Sequence, residues 1–110
     1  MPAPMNDQEF RDKSEKALKE LDKALLQAGD RYGFETDNNQ GALVIEFEDP
    51  PARFVVSPNS PVRQIWVSAR VKSFKLDWDD STNEFVLGGR NLRQLLSDLI
   101  TEQLGEPVSL

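Results

Sequence analysis

Gln64-Ile65-Trp66-Val67-Ser68 is the stretch that decides how this chain folds. Branched apolar residues alternate there with polar ones at period two, the mark of a half-buried β-strand. Successive side chains on a strand point to opposite faces. Ile65 and Val67 therefore share one face, and Gln64, Trp66 and Ser68 share the other. The branched pair belongs in a core, which leaves a tryptophan beside a glutamine and a serine on the face that meets water. A large apolar side chain on a wet face marks a binding surface. The plainer alternative is an indole half-covered by its neighbours and without a role.

The same period extends to both sides. Candidate strands span 34–38, 42–47, 53–57, 64–68, 73–78 and 84–87. Between them lie Asn38-Asn39-Gln40-Gly41, Asp49-Pro50-Pro51, Pro58-Asn59-Ser60-Pro61, Asp79-Asp80-Ser81-Thr82 and Gly88-Gly89, all turn chemistry. Connections this short imply an antiparallel meander. Leu43, Ile45 and Phe47 alternate with Val44, Glu46 and Glu48, and Phe74, Leu76 and Trp78 alternate with Lys75 and Asp77. Each strand thus offers one apolar face.

Two helices bracket the strands. Asn6 with Glu9 is an N-cap and N3 pair, and Met5 with Phe10 is placed for a hydrophobic staple. Phe10, Ala17, Leu18, Leu21, Ala24, Leu25 and Ala28 form one apolar stripe, and Gly29 is expected to end the helix. The second helix covers 92–104, with Asn91 and Gln94 as its capping pair and Gly105 then Pro107 as its stop. Both stripes read as core. Two helices covering one sheet face give an α+β fold, a two-layer sandwich with N- and C-terminal helices packed on one face of a five- or six-stranded antiparallel sheet. Residues 1–5 read as a short N-terminal extension and 6–110 as a single domain.

Composition narrows the chemistry. With 110 residues, 38% hydrophobic and 29% charged, the chain is an ordinary globular length and mixture for one core. No apolar run reaches the ~20 residues that span a bilayer, and Met1-Pro2-Ala3-Pro4-Met5 lacks the basic and apolar regions of a secretory signal. There is no cysteine and no histidine. That excludes disulfides, thiol nucleophiles, Cys/His zinc sites, cysteine-held clusters and a Ser-His-Asp triad. Any metal would be held by oxygen ligands, which suit hard cations. Asp77, Asp79 and Asp80 are the nearest thing to an acid–base cluster, and a solvated turn explains them more simply, so the chain is not expected to be an enzyme.

The net charge of −6 argues against nucleic-acid binding. Its distribution is uneven. The first 40 residues carry nine acids and six bases, 50–76 carry five bases and no acid, and 77–84 carry four acids and no base. Such polarity favours oriented docking on a charged partner.

Helix, antiparallel strands, helix, with Gln64-Ile65-Trp66 on a central strand, resembles the frataxin family, and its bacterial CyaY branch in particular. Met5-Asn6-Asp7-Gln8-Glu9-Phe10 is similar to the start of those bacterial proteins. Gly41-Ala42-Leu43-Val44-Ile45 is similar to the family's second strand, Pro61-Val62-Arg63-Gln64-Ile65-Trp66-Val67-Ser68 to its most recognisable motif, and Gly105-Glu106-Pro107-Val108-Ser109-Leu110 to the bacterial C-terminus. The resemblance implies a cytoplasmic bacterial monomer that binds ferrous and ferric iron weakly, docks on the cysteine desulfurase and iron–sulfur scaffold protein, and regulates cluster assembly. It implies no stable cofactor. It also implies site residues. Gln64, Trp66, Ser68 and Arg63 become partner-binding candidates, and Glu15, Asp22, Asp30, Glu35 and Asp37 become iron candidates. The alternative is a metal-independent interaction module that binds through the exposed Trp66 face.

Three positions depart from the family pattern. Ser57 replaces an asparagine, Arg70-Val71-Lys72 replaces a glycine-rich stretch, and Phe85 replaces a tryptophan. The acids of the first helix are also diluted by bases. Asp7–Arg11, Glu9–Lys13, Asp12–Lys16 and Glu15–Lys19 are acid-then-base pairs at i, i+4, and these acids are expected to engage their local lysine or arginine.

Overall fold

A computed structural model describes residues 5–48 and 50–110. Most of the expected N-terminal extension, and Asp49 of the expected turn at 49–51, lie outside the described residues.

Helix α1 spans Asp7–Tyr32. The Asn6 side chain accepts the Glu9 N–H at 2.8 Å, as the capping pair requires. The helix runs one turn past its expected end. Gly33, at φ +84°, is the left-handed cap, and its N–H reaches the Gly29 carbonyl at 2.8 Å. Gly29 has a different task. A Cβ there would lie 2.5 Å from the Phe34 carbonyl oxygen, so the missing side chain is what lets the chain leave the helix and fold back against its last turn.

Seven strands follow: β1 Glu35–Asn39, β2 Ala42–Glu48, β3 Pro51–Asn59, β4 Gln64–Ala69, β5 Lys72–Asp79, β6 Glu84–Leu87 and β7 Arg90–Asn91. Every neighbouring pair is antiparallel, and spatial order equals chain order. The sheet is the expected meander with one more strand. β7 has two residues, too few to show a period, and exists because Gly88 and Gly89, both at positive φ, turn the chain tightly back on β6. Helix α2 spans Leu92–Leu104 behind a complete capping box, in which Gln94 N–H donates to Asn91 Oδ1 and Asn91 N–H to Gln94 Oε1.

One core lies between the sheet and the helices. It takes Leu43, Ile45 and Phe47 from β2, Phe54 and Val56 from β3, Ile65, Val67 and Ala69 from β4, Leu76 from β5 and Phe85 from β6. The helices add Phe10, Leu18, Leu21, Leu25, Leu95, Leu96 and Ile100, all buried. Phe47 contacts Phe34 and Phe54 at centroid distances of 5.3 and 4.8 Å, and Phe85 meets Phe10 edge-on at 5.9 Å. After α2, the Thr101 hydroxyl both donates to the Val108 carbonyl and accepts its N–H, which holds Val108 against the core.

Gly29→Ala is expected to lose about 1–3 kcal/mol of unfolding free energy in urea, despite alanine's better helix propensity, because the clash is with backbone that cannot rotate away. Gln27→Ala, on the exposed side of the same turn, should stay within about 0.5 kcal/mol of the parent.

Candidate docking face and acidic concavity

Strand β4 is central, so its outward side chains lie in the middle of the solvent face. Ile65 and Val67 are 0% and 1% exposed, whereas Trp66 is 37% exposed. The register surrounds the indole with Ser57 on β3 and Lys75 on β5, and surrounds Ser68 with Val55 and Ser73. Small neighbours leave the ring room to lie on the sheet, and polar groups orient it. Trp66 Nε1–H donates to Gln64 Oε1 at 2.9 Å, and Gln64 Nε2–H donates to Asp77 Oδ1 at 2.9 Å. Lys75 Nζ sits 4.8 Å from the ring centroid. Gln64, Trp66 and Ser68 thus share one outward face, on which the first two are held by hydrogen bonds.

Arg63 does not join it. This residue adopts φ +54° after the short 3₁₀ turn Ser60–Val62. Its guanidinium donates to the Met5 carbonyl at 3.1 Å and to the Ser60 carbonyl, and pairs with Asp7 at 2.5 Å. Those bonds fasten the start of α1 to the β3–β4 connection.

The five acidic candidates separate into two groups. Asp30 in the last turn of α1, with Glu35 and Asp37 on β1, lines a concavity of ≈ 400 Å³ that also includes Leu26, Thr36 and Val44. Glu15 and Asp22 do not line it. At about 1.5 Å per residue they lie ~22 and ~12 Å back along the helix from Asp30. A fourth carboxylate, Glu46 on β2, completes the concavity; among the described residues no lysine or arginine lines it, although Arg53 on β3 lies directly opposite Glu46. Glu46 escaped the sequence reading, although a signal existed. A two-residue turn at Gln40-Gly41 pairs residues whose numbers sum to 81, which sets Glu46 directly opposite Glu35. Like charges in that position destabilise a sheet. Thr36 Oγ1, buried at the same edge, has no hydrogen-bond partner among the described residues. Among the described residues no group of three or more carboxylates converges closely enough to hold a metal ion.

The expected local neutralisation of α1 does not occur. Among the described residues the ion pairs are Arg63–Asp7 and Arg90–Asp98, and none of the four i, i+4 pairs closes. Other partners intervene. Asp7 turns to Arg63, Asp12 accepts from Gln8 at 2.8 Å, and Lys13 lies 4.6 Å over the Trp78 ring. An exposed pair gains only a few tenths of a kcal/mol, roughly what a competing hydrogen bond or cation–π contact offers.

Residues 3–106 match the model of the frataxin-like domain. The chain belongs to the frataxin-like family. It is 34% identical over 106 residues to the iron–sulfur cluster assembly protein CyaY of Dechloromonas aromatica, covering 96% of this chain and 99% of that protein. The CyaY protein of Cupriavidus metallidurans is 28% identical over 109 residues, with 97% of each chain covered. In structure the chain resembles a frataxin from Psychromonas ingrahamii with a TM-score of 0.79, at 22% identity over 96% of this chain and 97% of that one.

In this frataxin-like chain the acids around the β5–β6 turn are each tied to a neighbour. Asp77 accepts from Gln64, Asp80 accepts from Trp78 Nε1 at 2.8 Å, and Asp79 accepts from Ser81 Oγ at 2.7 Å and from its N–H at 2.9 Å. They form a hydrogen-bonded turn. Among the described residues no helix is long and apolar enough to cross a membrane.

Two outcomes follow from this geometry. The Ser81 hydroxyl, and then its N–H, hold the Asp79 carboxyl below its ordinary value of 3.8. A carboxyl lowered by folding stabilises the turn above pH ~3.8 and loses that contribution as pH falls through its folded value. In a carboxyl NMR titration, Ser81→Ala should move Asp79 back up toward the ordinary value. Separately, Trp66→Ala should change unfolding free energy by no more than about 1 kcal/mol, since the side chain lies outside the core.

Proposed function

We propose that this chain takes part in iron–sulfur cluster assembly in the bacterial cytoplasm, docking on the cysteine desulfurase and scaffold protein and regulating their output. The observation that carries the reading is Trp66 oriented on the outer sheet face by Gln64 and Asp77, in a chain matched over nearly its full length to the CyaY proteins. An indole already held in one orientation, with its apolar face available, loses little freedom on binding, and such residues dominate interface energies. Gln64, Trp66 and Ser68 are the contact surface. Arg63 supports it from behind by holding the β3–β4 connection in place.

Iron is cargo in this reading, and no resident metal is required. Asp30, Glu35, Asp37 and Glu46 supply hard oxygen ligands around one concavity without converging into a cage, which suits weak, exchangeable binding of a hydrated ferrous or ferric ion. Glu15 and Asp22 extend the negative potential along α1 and draw cations or a basic partner surface toward the concavity.

The test is binding of the chain to the purified desulfurase–scaffold complex, beside a ferrous titration followed by amide NMR. Trp66→Ala should weaken the complex by about tenfold or more. Iron at millimolar concentration should broaden or shift signals at Asp30, Glu35, Asp37 and Glu46. If the complex forms while those signals stay still, the chain is a metal-independent docking module. Failure to bind the complex at all would remove the assembly role.

A further inference from the structure

A second concavity lies on the other side of the molecule, between the flank of α1, the first turn of α2 and the β5–β6 hairpin. It measures ≈ 630 Å³ and shares no residue with the acidic concavity or the Trp66 surface. Its floor is apolar, formed by Ala17, Leu21, Trp78, Phe85 and Leu92. Leu21, Phe85 and Leu92 are buried and belong to the core, so the floor is rigid. The Trp78 ring packs edge-on against Phe85 at 5.1 Å and is fixed by its Nε1–H bond to Asp80.

The rim carries three cations, Lys13, Lys16 and Arg93, against two acids, Glu20 and Glu84. Glu84 already accepts a hydrogen bond from Asn91 Nδ2 at 3.2 Å. Lys13 rests on the Trp78 ring. Among the described residues, neither Lys16 nor Arg93 has a carboxylate within ion-pair distance. In a chain of net charge −6, the lining of this groove sums to one positive charge, and Lys16 and Arg93 carry it free of ion pairs among the described residues.

We propose that this groove binds a small amphipathic carboxylate, with its hydrocarbon part on Leu21, Trp78 and Phe85 and its anionic end between Lys16 and Arg93. The volume falls in the range of about 300–1,000 Å³ usual for small-molecule sites, and an apolar floor with a few placed charges is their usual make-up. A cationic ligand would meet three like charges against two carboxylates, Glu20 and Glu84. An inorganic anion would leave the apolar floor wet. A neutral hydrocarbon would leave Lys16 and Arg93 without a counter-charge.

The probe is hexanoate, with hexanamide as its uncharged counterpart, at constant ionic strength. Trp66→Phe leaves Trp78 as the sole tryptophan, so its emission reports on the groove, and amide NMR locates the contact. Hexanoate should change the emission saturably, with half-saturation in the millimolar range, and should shift the signals of Lys16, Asn83 and Arg93. Hexanamide should bind at least about fivefold more weakly, and the double variant Lys16→Glu/Arg93→Glu should lose about the same factor for hexanoate. Both positions are exposed, so that double variant should stay folded, with only a small fall in its unfolding midpoint from placing a carboxylate one turn from Asp12 and Glu20. A linear response to hexanoate, equal binding of hexanamide, or NMR shifts confined to other parts of the chain would each overturn the proposal.

Discussion

Ile65 and Val67 lie on the middle strand of the sheet, fully enclosed in a core that takes leucines from both helices and Phe10 from α1. Burying each contributes about 1.5–3 kcal/mol. Because strand side chains alternate strictly, a shift of β4 by one residue would move both into water and push Trp66, Gln64 and Ser68 into the core. The outer face is thus specified from within. The packing of two β-branched residues keeps the tryptophan outside, and the short turns on either side leave the neighbouring strands no other register. The hydrogen-bonded chain from Trp66 through Gln64 to Asp77 only refines an orientation that core burial has already imposed.

Charge is organised by the same topology. The meander places β1 and β2 side by side at one edge, next to the end of α1, and gathers acids there from three separate segments of the chain. β3 to β5 carry the basic stretch 50–76. The cross-strand opposition of Glu35 and Glu46 is a local cost that a stability-optimised edge would avoid. It also discourages strand addition, since a second chain pairing with β1 would bring its own charges against an already crowded row.

The fold was legible because each segment carried its own period and its own stop. The alternation along β2, β4 and β5, the Asn6 and Asn91 caps and the leucine face of α2 all agree with one another, and the structure follows them. Strand ends differ by a residue or two from those expected, and the largest shift is at the end of α1, where two glycines four residues apart compete. A glycine needed for close approach and a glycine needed for positive φ look alike in a sequence, and only the position of Phe34 separates Gly29 from Gly33. At the candidate sites, the face of Trp66 followed from period two alone. The acidic concavity did not. It depends on where the end of a helix lies over a hairpin, and Glu46 becomes visible only once strand register is counted. The neutralising helix pairs failed for an energetic reason. Contacts worth tenths of a kcal/mol are easily outcompeted by tertiary partners that no helical wheel contains.

Arg63 joins positions 58 residues apart, from the Met5 carbonyl to the β3–β4 turn. The motif that presents the tryptophan and the first turn of the N-terminal helix therefore share one fastening. A partner surface that drew this guanidinium toward its own carboxylate would have to take it from Asp7 and Met5, and the helix start would lose its tether as the complex formed. Occupancy of the sheet face would then be felt at the start of α1 through the bonds of one arginine.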